Sequence, residues 1–415
     1  MRFAPYLSLL RENPSFSRLY AAQLISFGGD WFATVALLGL SLELTGSSAL
    51  AALVLVLQTG GFAITAPIAG TLADRFDRRK LMVAADLARV PVALAFLLAR
   101  DPGTLWIAFV AVALLAVGAA VFEPSSSAAL PNLVDPERLP EANVLLGSAW
   151  GTMLAVGAAL GGLVAATLGR DAAFIANAGS FALSAALIVG IRRPLQKPRE
   201  KGAGGGGLGS IGRSVGTAID FARQSRVVAS LLLSKTTFGV GTGVVLMLAV
   251  FGRNVFEAGD AGIGLLFAAR GLGALLGPFV ARSVVGLEDR GLLLGIRASL
   301  LVVVVCYALF PIAPGIWFAA LLVFAAHLGG GSQWMLSTYG LQRSTPDEIR
   351  GRVFSFDYGL VTLTIALSTL LAGFLADALA PRLAVWTMVG LIIVAGSGWI
   401  WFSRPALARA DQGSG

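Results

Sequence analysis

A chain of 415 residues that is 56% hydrophobic and only 13% charged, with a mean hydropathy of +0.81, carries too much apolar surface to dissolve in water; soluble domains average about 25% charged residues. A single cysteine, Cys306, excludes an intramolecular disulfide or thiolate cluster, and a single histidine, His327, excludes multi-histidine metal and haem sites. The net charge of +8 therefore belongs to a chain whose solvent is the bilayer, and collagen-like, disordered and disulfide-scaffold classes are excluded as well.

A membrane-spanning helix needs about 20 mostly apolar residues. Runs of that kind, broken by charge, Pro or Gly, predict about twelve spans. In the first half they cover 17–44, 47–73, 80–99, 104–128, 139–168 and 171–191. In the second they cover 227–251, 261–284, 291–312, 316–340, 353–380 and 382–402. They are too long and too uniform for the alternating strands of an outer-membrane barrel. Arg11, Glu12, Asn13 and Pro14 precede a first span too long for the core of a signal peptide, and no small-residue cleavage site follows. Between the halves, 193–209 (RPLQKPREKGAGGGGLG) reads as a flexible linker. Ile211, Val215 and Ile219 then recur every four residues, with Arg213, Asp220 and Arg223 off that stripe, which predicts a short helix lying in the membrane surface. The expected organisation is a six-helix bundle over 1–192, a cytoplasmic linker over 193–226 and a second six-helix bundle over 227–415.

Lys and Arg set orientation. With both termini in the cytoplasm, the cytoplasmic segments hold most of the basic residues, including Arg75, Arg78, Arg79, Lys80, Arg192, Arg193, Arg350 and Arg352. The external loops hold Arg100, Arg170, Arg253 and Arg382. The basic pI of 10.2 is then an insertion signal, and its dispersal over many short loops argues against a nucleic-acid partner. No G-x-x-x-x-G-K-[ST] loop is present, so no nucleotide drives the protein directly.

The halves echo each other. Span 2 leaves through Gly70-Thr-Leu-Ala-Asp74-Arg75 and span 8 through Gly277-Pro-Phe-Val-Ala281-Arg282, with Gly and Arg keeping their spacing. The stretch 70–80, GTLADRFDRRK, resembles the major facilitator signature G-x-L-A-D-R-x-G-R-R/K between spans 2 and 3, with Asp77 in place of the second Gly. Asn13-Pro14, Gly29-Asp30, Asp86-Leu-Ala-Arg89, Leu130-Pro131 and 139–143 (LPEAN) extend the resemblance to the bacterial drug-efflux branch that includes macrolide and siderophore exporters. The segment 342–354 (QRSTPDEIRGRVF) adds a match in the second half. The resemblance implies an all-α, polytopic membrane protein with twelve transmembrane helices in two pseudo-symmetric six-helix bundles, the major facilitator fold. It implies that Gly70, Asp74 and Arg75 gate the cytoplasmic side, the acid latching onto basic groups and a helix N-terminus of the facing half. Arg78 and Arg79 either share that role or anchor the loop. Exporters of this superfamily carry G-x-x-x-G-P-x-x-G-G in span 5; this chain keeps Gly157, Gly161 and Gly162 but has Met153 and Ala158 at the other positions. Gly373-Phe-Leu-Ala-Asp377 repeats half of the signature on the external side without the basic run, and reads as a chance repeat.

Charges deep in a span each cost about 2.5–3.5 kcal/mol and normally face a cavity or a partner. Asp30 lies mid-span 1 on a stripe with Gln23, Ser26, Thr34 and Ser41, so that face should avoid lipid. Its carboxylate either carries a proton across the cycle or holds helices together. Asp86 and Arg89, three apart on span 3, form a buried pair. Glu123 sits beside the kink expected at Pro124, in a coupling or a structural role. Arg270, mid-span 8, needs an acid from another span, with Asp30 and Glu123 as candidates. His327, mid-span 10, shares a face with Gly331, Trp334 and Thr338, and serves either proton coupling or packing.

The expected activity is proton-coupled efflux of a small, amphipathic, drug-like or siderophore-like compound by alternating access. The proton gradient is the driving force, with no cofactor and no metal. The expected setting is the bacterial cytoplasmic membrane, multi-pass and monomeric, with the lipid bilayer and the small-molecule substrate as partners. An uncoupled facilitator or a lysophospholipid flippase would use the same scaffold. A polytopic membrane enzyme is the remote alternative, since no nucleophile–base pair is visible.

Overall fold

In hydrocarbon every backbone N–H and C=O must find its partner inside the segment, so each apolar run closes into a helix. The computed structural model describes residues 4–196 and 209–412. Among them, 12 helices are long and apolar enough to cross a bilayer, in agreement with the sequence reading. A short helix α1 (Ala4–Glu12), which the sequence reading lacks, precedes α2 (Pro14–Thr45). Asn13 makes the break between them: its side chain accepts from the Phe16 N–H at 3.0 Å and donates to the Leu133 carbonyl at 2.7 Å. Pro14 starts α2 without needing a hydrogen-bond partner for its nitrogen.

The first half continues with α3 (Ser48–Arg75), α4 (Arg78–Leu94), α5 (Leu105–Leu133), α6 (Leu139–Thr167) and α7 (Arg170–Val189). A helix α8 (Gly209–Gln224) follows the linker and packs against α14, with Ala218 buried. The second half comprises α9 (Arg226–Gly239), α10 (Val244–Val250), α11 (Gly259–Val284), α12 (Asp289–Leu309), α13 (Ile316–Ser344), α14 (Asp347–Ala378) and α15 (Pro381–Gln412).

Span 7 is broken where the sequence places Gly239, Gly241 and Gly243. Turns separate α9 from α10, and a π-helical turn over Phe251–Val255 follows. Ser368 of α14 repairs the opened ladder: its hydroxyl donates to the Val240 carbonyl at 2.6 Å and accepts from the Gly243 N–H at 2.8 Å.

Two compact units form. One comprises Met1–Gly46, Leu53–Gly205 and Ala258–Ala268; the other comprises Ser47–Ala52, Gly206–Glu257 and Ala269–Gly415. In the first, α2 packs on α6 and α7 while α4 packs on α5 and α7. In the second, α12 packs on α13 and α15, and α9 packs on α13, α14 and α15. The boundaries depart from a simple division at 193–226. The first turns of α3 group with the second unit and the first turns of α11 with the first, because side chains at those helix starts are held there, as described below. Apolar side chains such as Leu301 (64% exposed) and Val394 (72% exposed) point outward, as lipid-facing residues do.

Candidate functional site: buried charges in the two units

Helical spacing builds the charge cluster of the first unit. Asp86 and Arg89 are one turn apart on α4, and Arg89 Nη2 donates to Asp86 Oδ1. Asp86 is fully buried and Arg89 is 3% exposed. Arg89 Nη1 also reaches to 4.0 Å from Asp30 Oδ2 on α2. The guanidinium lies 4.2 Å from the Phe181 ring centre and 5.5 Å from that of Phe122, so two aromatic faces replace the water it has lost. A Cβ at Gly118 would sit 2.7 Å from the Arg89 side chain, so α5 leaves room for it. Glu123 interacts electrostatically with both Asp30 and Arg89. Asp30, with 21% of its side chain exposed, is more open than Asp86 or Arg89. The stripe read along α2 is inward as expected: Gln23, Ser26, Thr34 and Ser41 are all buried, and Ser126 donates to Gln23 Oε1 at 3.3 Å.

Arg270 belongs to the second unit. There it interacts electrostatically with Tyr307 and His327. Asp30, one of the two acids the sequence reading offers to Arg270, approaches Arg89 within its own unit, because α4 places the guanidinium one turn beyond Asp86. His327 is 4% exposed, with Nε2 2.7 Å from the Tyr307 hydroxyl and the Phe238 ring edge-on at 6.0 Å. That enclosure is the geometry of a packed, hydrogen-bonded histidine.

The same unit holds a pair that the sequence reading missed. Lys235 of α9 donates to Asp357 of α14, and Lys235 Nζ lies 4.9 Å from the Trp334 ring centre on α13. The signal was present: Lys235 is a lone cation inside an apolar run, a position that demands a partner. Asp357 stands near the start of its predicted span, where a charge costs less than at mid-span and gives a weaker signal.

In the signature, the side chains of Asp74 and Arg75 and the packing around Gly70 lie outside what the structure describes. Asp77 accepts from the Lys80 N–H at 3.0 Å and so caps α4, which is how the chain turns there without the second Gly. Arg78 Nη1 donates to the Ala128 carbonyl at 2.7 Å, and Arg79 Nη2 to the Arg193 carbonyl at 2.8 Å, tying the loop to its own unit. In the span 5 motif, Gly157 faces the Gly28 backbone and Gly161 the Phe32 backbone, both on α2. A Cβ at Gly162 would lie 2.7 Å from the Asp260 carbonyl oxygen and 2.8 Å from the Gly264 Cα, so α6 and the start of α11 touch backbone to backbone.

Two acids fix the helix starts at the end remote from the termini. Asp260, in the first turn of α11, accepts from Arg170 Nε at 2.7 Å, and the same guanidinium reaches Glu43 at 2.8 Å. Asp377 accepts from the Ser47 hydroxyl at 2.6 Å and from the Ser48 and Ala49 N–H groups at 2.5 and 3.1 Å, capping α3. A Cβ at Gly373 would come within 2.8 Å of Ala49 Cα. Gly373 and Asp377 therefore clamp the start of α3, a structural role apart from the gating signature they partly repeat. Asp377→Ala is expected to lower stability by about 0.5–2 kcal/mol, the usual value of a helix N-cap, while Asp377→Asn retains most of it; denaturant titration of the purified chain checks both.

The described residues contain no group of three or more His, Cys, Asp or Glu arranged to hold a metal ion. Residues 3–414 match the family model described as transmembrane secretion effector. The uncharacterized MFS-type transporter YfiS of Bacillus subtilis is 26% identical over 98% of this chain and 99% of its own. The enterobactin exporter EntS of Shigella boydii is 27% identical over 84% of this chain and 82% of its own. Among solved structures, a POT family transporter in complex with 5-aminolevulinic acid superimposes with a TM-score of 0.78 at 11% identity, covering 95% of this chain and 97% of that one. That likeness shows a shared fold.

Proposed function

Since the chain belongs to the transmembrane secretion effector family of major facilitator transporters, we propose that it expels a small amphipathic molecule in exchange for protons, by alternating access. It is a multi-pass membrane transporter and its relatives are transporters, not enzymes. The proposed setting is a bacterial cytoplasmic membrane, with both termini cytoplasmic and the chain acting as a monomer.

The observation that carries the reading is the excess of acid over base in the membrane-embedded charge cluster of the first unit. Asp30, Asp86 and Glu123 surround one guanidinium, that of Arg89. Burying two uncompensated carboxylates is expensive, so a proton is the simplest species to balance them. Asp86 holds the direct hydrogen bond to Arg89 and is sealed from water, which suits a fixed counter-ion. Asp30 is partly open and has only a longer contact to the guanidinium, which suits a group that loads and unloads. Export of a small molecule is what the name of the enterobactin exporter records for that relative.

The test is pH-gradient-driven flux of rhodamine 6G in proteoliposomes. Asp30→Asn is expected to abolish uphill movement while dye exchange at equal pH persists. Unchanged uphill movement in Asp30→Asn removes Asp30 from coupling.

A further inference from the structure

The Lys235–Asp357 pair differs from the acid-rich cluster in one respect: it is balanced, one cation to one anion. Both residues are 3% exposed. They lie on α9 and α14, each about three turns from the helix end on the side of the chain termini. Trp334, whose ring lies beneath the ammonium, sits at a similar distance from the same end of α13. The pair is not fully satisfied. Asp357 Oδ2 takes the lysine, while Asp357 Oδ1 is buried with no hydrogen-bond partner among the described residues. The surroundings also open at one side, with Trp334 39% exposed and Tyr358, next to Asp357, 45% exposed.

A buried carboxylate oxygen with open lone pairs calls for a donor. A simple cation placed there would sit beside Lys235 and be repelled. A simple anion that captured Lys235 would strand Asp357 without its counter-charge, and breaking a buried pair in that way is strongly unfavourable. One ligand class avoids both penalties. A molecule bearing an ammonium and a carboxylate close together offers a donor to Asp357 and an acceptor to Lys235, so each buried group exchanges one partner for another. Trp334 then offers a flat apolar surface to the rest of the molecule.

We propose that Lys235, Asp357 and Trp334 form the head-group subsite for a zwitterionic substrate of amino-acid or short-peptide type, with the apolar remainder of the substrate laid on Trp334. The proposal rests on the carrier function above and narrows its substrate class.

The experiment is equilibrium binding of phenylalanyl-phenylalanine to the full chain in lipid nanodiscs, beside its N-acetylated and C-amidated forms. The free dipeptide is expected to bind about tenfold or more tightly than either blocked form. Lys235→Met and Asp357→Asn are each expected to weaken it by a similar factor, and the exchange of the two residues (Lys235→Asp with Asp357→Lys) to restore it. No binding of the free dipeptide, or equal binding of the blocked forms, overturns the proposal, and this comparison needs no variant to fold. Proton-driven rhodamine 6G flux without dipeptide selectivity overturns the subsite and leaves the carrier function standing. Dipeptide selectivity without proton-driven flux of the dipeptide itself supports the subsite and overturns the coupling.

Discussion

Replacing Arg89 by leucine is expected to destabilise the chain by about 3–5 kcal/mol, the cost of leaving a buried charge without its partner. The size follows from what the guanidinium touches. It donates to the fully buried Asp86, approaches Asp30 at 4.0 Å, and is held between the rings of Phe122 and Phe181. Leucine removes the cation and leaves the acids. The double variant Arg89→Leu with Asp86→Leu is expected to recover much of the loss, because the fully sealed carboxylate goes with its partner. Unfolding by SDS titration in mixed micelles measures all three proteins. Equal stability of Arg89→Leu and the parent would mean that Asp86 does not depend on Arg89.

The second large effect is steric. Gly162→Leu is expected to cost about 1–3 kcal/mol from overpacking and to detach the start of α11 from α6. The atoms in the way are backbone, the Asp260 carbonyl oxygen and the Gly264 Cα, so no side-chain rotation relieves the clash. Displacing α11 there also carries Asp260 away from Arg170. A cysteine at Ile263, fully buried in this structure, reports the change once Cys306 is replaced by serine. The parent should resist a membrane-impermeant maleimide and Gly162→Leu should react. Equal protection in both would show that the glycine contact does not hold the helix.

The spans were legible because hydrocarbon imposes a single rule on the backbone, so apolar length alone locates the helices. Asp30, Asp86 and Arg89 were legible for a related reason: an ionised group in mid-span announces a partner. Which partner was another matter. Asp30 could pair with any buried cation as far as the sequence goes, but pairing depends on which helix faces which, and within the first unit α4 delivers Arg89 to it. Lys235–Asp357 was missed because one member stood near a span end, where a charge costs little and attracts no attention. Asp377 was missed because helix capping depends on where another helix begins, and Ser48 lies far away in the chain. Asn13 shows the converse: its cap is local, yet α1 before it is short and carries too few apolar residues to register as a span.

Proton counting tests the central claim most directly. Proteoliposomes loaded with the pH dye pyranine and given a rhodamine 6G gradient should show proton movement opposite to dye movement, in proportion to it. Asp30→Asn should abolish the proton signal while dye exchange continues. Dye transport by the parent chain with no accompanying pH change, or an undiminished proton signal in Asp30→Asn, would contradict the account.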